Sequence, residues 1–418
     1  MSKELSFVLI NPYTIAKSRT GGVIARYISR TNLNFVGARM LGPSMELVEK
    51  YADSVRSSNP ENQKVQNLLA DYILKSYAPA PITGKPRRVM LLLFEGGDAI
   101  REIGDVTGNA TLKRGRGETI RDTYGDYVLD DKGNVQYFEP AVLVACNKKD
   151  AATTLNLLAH YSVENGGIID SADDLSEKNN IEKTLVLLKP DNFHFASSRP
   201  GNIIDLLSLS GLRIVGVKKF RMTVEQAEKF YGPVRKSLQK KFSSIGSQRA
   251  ANALEKEFGF NIPEDAMEAI CGRLGPLFAE EQFESIVKFM TGYKPSECLN
   301  AKKSVLGIEE CLALVYAGVD AVKKIRAILG PTDPSKAKPG SVRREFGSNI
   351  MVNAAHASDS VENARREMNI INVEEDTIKS FVDKYYGNVF SRIANLRASL
   401  SNIRYKFLEK IVRNKANA

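Results

Sequence analysis

Two stretches of this chain carry the same pattern of apolar and polar positions. Near the N-terminus, FVLINPYTIAKSRTGGVIARYI is followed by NFVGARML, and later LVLLKPDNFHFASSRPGNIIDLL is followed by RIVGVKKF. Each is an apolar run, an Asx- or Lys-Pro turn, a glycine opening an amphipathic helix, and a second alternating strand. The agreement returns downstream, where RRVMLLLFEGGDAIREIG matches CLALVYAGVDAVKKIRAILG as a buried strand running into a helix. Two copies of one domain of ~150 to 200 residues account for the length. Strands and helices alternate in each copy in the order β-α-β-α-β-α-β. That order predicts an α+β fold, a split βαβ, ferredoxin-like sheet with helices on one face.

The boundaries follow from composition. The stretch ENGGIIDSADDLSEKNNIE is rich in Gly, Asp, Ser and Asn and reads as a linker. The expected division is a first domain over 1–165, a linker over 166–182 and a second domain over 183–373. ANALEKEF and DAMEAICGRL look like a helical insertion over 243–281 of the second domain. From 374 to 418 a basic amphipathic helical tail is expected, with Tyr386, Phe390, Ile393, Leu396, Leu400, Ile403 and Phe407 at helical spacing.

Composition narrows the class. The 43% hydrophobic and 26% charged content is that of a soluble globular chain. No apolar run is long enough to span a membrane, and the N-terminus lacks the marks of a secretory signal. Cys146, Cys271, Cys298 and Cys311 form no metal-ligand spacing, and isolated thiols point to a reducing cytoplasm. The net charge of +10 fits either a nucleic-acid binder or an enzyme acting on polyanionic nucleotides. Much of that excess lies in the tail, where nine basic residues from Lys379 onward face only Asp383 and Glu409.

Candidate chemistry gathers around one of the three histidines. His356, in Asn353-Ala-Ala-His-Ala-Ser358-Asp359-Ser360-Val-Glu362, follows a predicted strand and precedes a helix that Asp359 or Ser358 can cap. A helix N-terminus there favours anions, and Glu367 on that helix can hold the imidazole in one tautomer. An oriented histidine can attack phosphorus and store a phosphoryl group. Upstream, Arg326-Ala-Ile-Leu-Gly-Pro-Thr332-Asp-Pro and Lys338-Pro-Gly-Ser-Val-Arg343 place guanidinium groups near either end of an ordered loop. Paired arginines with a threonine hydroxyl suit a di- or triphosphate tail. His194, His160 and Cys311 read as a surface-loop residue, a helix residue and a buried small hydrophobe.

These motifs resemble nucleoside diphosphate kinases. NAAHASDSVE is similar to that family's Asn-Ile-Ile-His-Gly-Ser-Asp-Ser-Val-Glu, and RAILGPTDPSKAKPGSVR to its Arg…Gly-Glu-Thr-Asn-Pro…Lys-Pro-Gly-Thr-Ile-Arg loop. From Arg326 to Glu367 the two align without insertion, and the family's Lys-Pro-Asp turn stands at Lys189-Pro190-Asp191. The resemblance implies a ping-pong transfer of the γ-phosphate of a nucleoside triphosphate to a diphosphate through phospho-His356. It implies that Lys189, Tyr231, Arg326, Thr332 and Arg343 hold the phosphates, that Asn353 contacts ribose and tail, and that Glu367 and Ser358 steady the histidine. Mg²⁺ would ride on the nucleotide phosphates, with Asp359 at most a water-mediated contact.

This chain departs from the family's pattern in places. The base-stacking phenylalanine aligns with Gln282, one position before Phe283, which we take as the nucleotide-binding candidate there; Pro331 replaces a glutamate. In the first copy Asn11 stands for Lys189, Gly104 for Arg326 and Val144 for His356, with Arg121 the one remnant of the clamp. That copy is expected to be a structural partner without catalysis. Family members assemble as hexamers or tetramers, so a homo-oligomer built on an intrachain pseudo-dimer is implied. The alternative reading is a non-catalytic nucleotide- or nucleic-acid-binding regulatory protein.

Overall fold

The computed structural model describes residues 3–111, 117–172, 180–241 and 247–387. The described residues divide into two compact units, one drawn from 3–13, 31–167 and 375–387, the other from 14–30 and 168–374. Sequence placed 14–30 in the first domain and made the tail a separate segment. The structure groups the former with the second unit and the described start of the latter, 375–387, with the first.

In the first unit the strands are β1 (Glu4–Ile10), β2 (Asn34–Leu41), β3 (Val89–Gly96), a hairpin of β4 (Asp126–Leu129) and β5 (Val135–Glu139), and β6 (Val142–Val144). Its main sheet runs β2-β3-β1-β6, all neighbours antiparallel. The second unit has β7 (Glu182–Leu188), β8 (Arg213–Thr223), β9 (Leu306–Gly318) and β10 (Ala355–Ala357), in the order β10-β7-β9-β8. Both orders are that of the α+β, ferredoxin-like split βαβ sheet. Register repeats as well, with Val8 opposite Leu92 in one unit and Val186 opposite Leu314 in the other.

The same unusual backbone positions recur in each copy. Asp98 and Asp320 open their helices in the left-handed region (φ 53° and 56°), and Gly108 and Gly330 close them (φ 82° and 81°). A Cβ at Gly330 would also stand 3.0 Å from Ser341 Oγ, a contact that requires the serine to shift. Ala141 and Ala354 adopt φ of 62° and 68° immediately before β6 and β10. Alanine in this region is strained by on the order of 1 kcal/mol or more, so the surroundings must impose it.

The second unit's core packs one face of its sheet, through Leu185, Leu187, Val215 and Val315, against Phe230, Phe283, Val287 and Met290. The last three come from the helix Glu264–Thr291, which runs unbroken through Pro276 and stops at left-handed Gly292. With Ser247–Phe258 it forms the helical insertion, but its C-terminal part continues past 281 into the core. The tail begins as a helix over 378–387 whose Ile378, Val382 and Tyr386 complete the first unit's core. Tyr386 Oη donates to Leu5 O and Tyr385 Oη to Glu95 Oε2, both at 2.6 Å. The expected helix from Phe390 to Phe407 lies outside the described residues. Among the described residues no helix is long and apolar enough to cross a membrane.

Candidate active site

His356 sits in the middle of β10, a three-residue edge strand paired with β7, opposite Leu187. Strand alternation sends its flanking alanines one way and the imidazole the other. Left-handed Ala354 starts the strand, and its carbonyl accepts from Lys189 N (3.0 Å) and from Asn192 Nδ2 (2.7 Å). Those two bonds hold the strained turn against the Lys-Pro-Asp segment. After β10 the helix Val361–Ile370 begins, and Ser360 caps it by accepting from Asn363 N at 3.0 Å. The cap is thus neither Asp359 nor Ser358; Asp359 accepts from the Asn363 side chain at 2.6 Å.

Ser358 is freed for a different task. Its hydroxyl donates to Glu367 Oε2 at 2.6 Å, and His356 Nε2 meets the same oxygen at 2.9 Å. Glu367 is only 4% exposed, whereas the His356 side chain is 23% exposed. A buried carboxylate accepts hydrogen bonds and does not donate them, so the neutral imidazole carries its proton on Nε2. The lone pair then lies on Nδ1, which has no hydrogen-bond partner among the described residues. Phe230 and Tyr231 wall the ring, with centroids 5.1 and 6.0 Å away.

Cations surround this histidine. Lys189 Nζ donates to Asn353 Oδ1 (2.8 Å) and Met351 O (3.1 Å). Burial, and then the charge of Arg343, push its ammonium down to about 8. Arg343 donates to Gly330 O (2.8 Å) and Ala355 O (3.0 Å), and burial followed by the charge of Arg326 brings it down to about 10. Arg326 is exposed on the helix Ala321–Leu329 and feels both Arg343 and Asp359. The Asp359 carboxyl lies below its usual range, first through its bond to Asn363 and then through nearby charges that include Arg326 and His356. Lys189 and Arg343, both depressed by burial and by a neighbouring cation, are groups whose charge a polyanionic ligand would stabilise. Two more groups point the same way, because Tyr231 Oη and Arg343 Nε are buried with no partner among the described residues.

The structure therefore brings together His356, Ser358, Glu367, Lys189, Tyr231, Arg326, Arg343 and Asn353. It gives Asn353 another task, since both ends of its amide are committed. Its Oδ1 accepts from Lys189, while its Nδ2 donates to Thr332 O (3.0 Å) and Ile350 O (2.8 Å). Thr332 is exposed on the loop that this bond anchors. Phe283 is not brought to the site: it is 1% exposed in the core, beneath the Arg235 guanidinium at 3.9 Å. His194 pairs with Glu309 at 2.9 Å on the surface. Sequence reasoning missed Asn192, Phe230 and Arg366, though each is a near neighbour of a residue it did name.

In the first unit the same framework carries different side chains. Arg121 donates to Gly108 O (2.9 Å) and Val142 O (3.1 Å), as Arg343 does to Gly330 and Ala355. That match makes Leu143 the counterpart of His356, one residue before the Val144 expected from sequence. Asn11, in place of Lys189, donates to Glu139 Oε1 (2.9 Å) and accepts from Tyr77 Oη (2.7 Å), while Tyr72 Oη closes on Glu139 Oε2 (2.7 Å). A cavity of ≈ 580 Å³ remains beside Gly104, Arg121 and Leu143, with no histidine or lysine among the described residues that line it.

Fold and site together define an α+β domain built round a carboxylate-held histidine among basic side chains. Residues 182–248 and 280–377 match the family model described as nucleoside diphosphate kinase, with the break falling in the helical insertion. The second unit is thus similar to the nucleoside diphosphate kinase family over these residues. The nucleoside diphosphate kinase of Nitratiruptor sp. is 29% identical over 188 residues, covering 45% of this chain and 93% of that protein. That of Dehalococcoides mccartyi is 26% identical over 198 residues, covering 47% and 96%. The solved structure of the Aquifex aeolicus nucleoside diphosphate kinase aligns with 48% of this chain and 99% of its own at 27% identity and a TM-score of 0.30.

Proposed function

We propose that the second unit moves the γ-phosphate of a nucleoside triphosphate to a nucleoside diphosphate by a ping-pong route through phospho-His356. The observation that carries this reading is the bond from His356 Nε2 to buried Glu367, which leaves Nδ1 as the nucleophile. The Nδ1 lone pair attacks the γ-phosphorus, the bond to the β-phosphate oxygen breaks, and the departing diphosphate keeps the electron pair. In the second half the terminal oxygen of a different diphosphate attacks, and the P–N bond returns its electrons to Nδ1. The proton stays on Nε2, donated to Glu367, throughout. Lys189, Arg326, Arg343, Thr332 and Tyr231 hold the phosphates and offset the charge of a loose transition state. Asn353 acts through Lys189, which it orients.

Among the described residues no group of three or more His, Cys, Asp or Glu side chains is placed to bind a metal. Glu367 is committed to His356 and Ser358, which leaves Asp359, held by the Asn363 side chain, as a further carboxylate beside the basic cluster. Mg²⁺ is accordingly proposed to arrive on the nucleotide phosphates, where it would supply charge neutralisation. Free thiols at all four cysteines support a cytoplasmic setting. The first unit, without lysine, first arginine or nucleophile, is proposed to serve as a structural partner, and oligomers as dimers or trimers of the whole chain.

Incubation with γ-labelled ATP and Mg²⁺, followed by a chase with GDP, tests this. An acid-labile, alkali-stable label that is absent from His356→Ala and passes to GDP is expected. A folded wild-type protein that takes up no label and makes no GTP overturns the proposal.

A further inference from the structure

Glu367 has two carboxylate oxygens, and the mechanism uses only one of them. Oε2 receives His356 and Ser358, while Oε1 lies 3.4 Å from Arg366 Nη2. Arg366 is anchored on its other side. Its Nη1 donates to Lys229 O at 3.1 Å, both terminal nitrogens approach Phe230 O, and Nε donates to Asn363 Oδ1 at 3.2 Å. Lys229 and Phe230 lie in the last turn of the helix Val224–Tyr231, whose terminal carbonyls lack partners within the helix. A cation there also complements the helix dipole.

That last turn holds Phe230 and Tyr231, the two rings that wall His356. One guanidinium thus joins the carboxylate on one side of the imidazole to the aromatic wall on another. A carboxylate this buried, whose other side-chain partners among the described residues are a hydroxyl and an imidazole, gains compensating charge from Arg366. We propose that Arg366 is a positioning residue for phosphoryl transfer. It fixes the plane of Glu367 and the helix end together, so that His356 is held in a single tautomer and orientation. This rests on the phosphohistidine reading of His356.

The test compares Arg366→Met and Arg366→Lys with the wild-type full chain. Methionine keeps the aliphatic length but neither charge nor forked donors, and lysine restores the charge without the fork. Single-turnover phosphorylation by ATP should slow roughly 10- to 100-fold in the methionine variant, the scale on which outer partners of oriented histidines act, with KM changed less than about twofold. Lysine should recover part of that rate. Imidazole ¹⁵N spectra, in which His356 is one of three histidines, read the tautomer without any turnover. The wild type should show a proton fixed on Nε2, and Arg366→Met a mixture of the two tautomers. An unchanged rate in Arg366→Met overturns the proposal. So does a slower rate with the wild-type tautomer intact, since the loss would then be one of stability alone. If the wild type itself takes no phosphate, the reading of the site fails, and the spectra still decide what Arg366 does.

Discussion

Lys189 offers a quantitative test, because the structure charges it in a place where charge is costly. Burial and Arg343 lower its ammonium from 10.5 to about 8, a gap worth about 3 kcal/mol at 1.36 kcal/mol for each pH unit. The sign follows from proton occupancy. Below pH ~8 the lysine is charged in both folded and unfolded chains, and the folded state bears the full cost. Between about 8 and about 10.4 the unfolded chain retains a proton that the folded chain has released, so stability rises with pH. Above that range the cost is gone. Replacing Lys189 by methionine removes the buried charge but leaves Met351 O and Asn353 Oδ1 without their donor. At about 1 kcal/mol for each abandoned acceptor, Lys189→Met should stabilise the second unit near neutrality by about 1 kcal/mol. By about pH 10 it should be the less stable protein by on the order of 1–2 kcal/mol. Urea unfolding followed by circular dichroism, run on both proteins at neutral and alkaline pH, measures that reversal. The variant should meanwhile lose most nucleotide affinity, and wild-type affinity should weaken as pH rises through about 8. A stability difference that does not change with pH would refute the reasoning.

Three other perturbations separate the parts of the site. Glu367→Gln keeps the volume but not the charge, and should slow phosphorylation of His356 by ~100-fold, about 2.7 kcal/mol, in a stopped-flow single-turnover assay. Phe283→Ala should cost about 3–5 kcal/mol of stability in chemical unfolding while leaving the nucleotide KM of the surviving folded protein within about twofold, as befits a core residue and not a base platform. Ser360→Ala should lower unfolding stability by about 1 kcal/mol through loss of the helix cap, whereas Asp359→Ala should leave the cap intact.

The duplication was legible because each copy's apolar runs, turns and glycines recur in the same order. The positions where backbone conformation is most constrained, Gly108 and Gly330 above all, repeat with them. The histidine, its carboxylate and the arginines were legible because they lie in two short contiguous motifs. What was not legible depended on packing. AVLVAC is apolar without alternation, so nothing in it fixes which residue faces the site, and pairing with β1 selects Leu143 over Val144. Phe283 was misplaced because the inserted helix continues into the core and turns that ring inward. Either Asp359 or Ser358 suits a helix cap by residue type, yet the cap falls at Ser360, and Ser358 turns to Glu367, the place the family resemblance implied for it. Arg366 carries no signal by itself, since an arginine on a polar helix is ordinarily solvated. The approach of the helix Val224–Tyr231 adds the carbonyls of Lys229 and Phe230 to its partners, and sequence does not show that approach.

The central claim is that Glu367 holds Nε2 and leaves Nδ1 to react. Trapping the phosphorylated protein and assigning the phosphorylated atom by ³¹P–¹⁵N correlation and fragment mass tests it directly. Phosphate on Nδ1 of His356, and nowhere in the first unit, is the predicted result. Phosphate on Nε2, or on a residue other than His356, would contradict it.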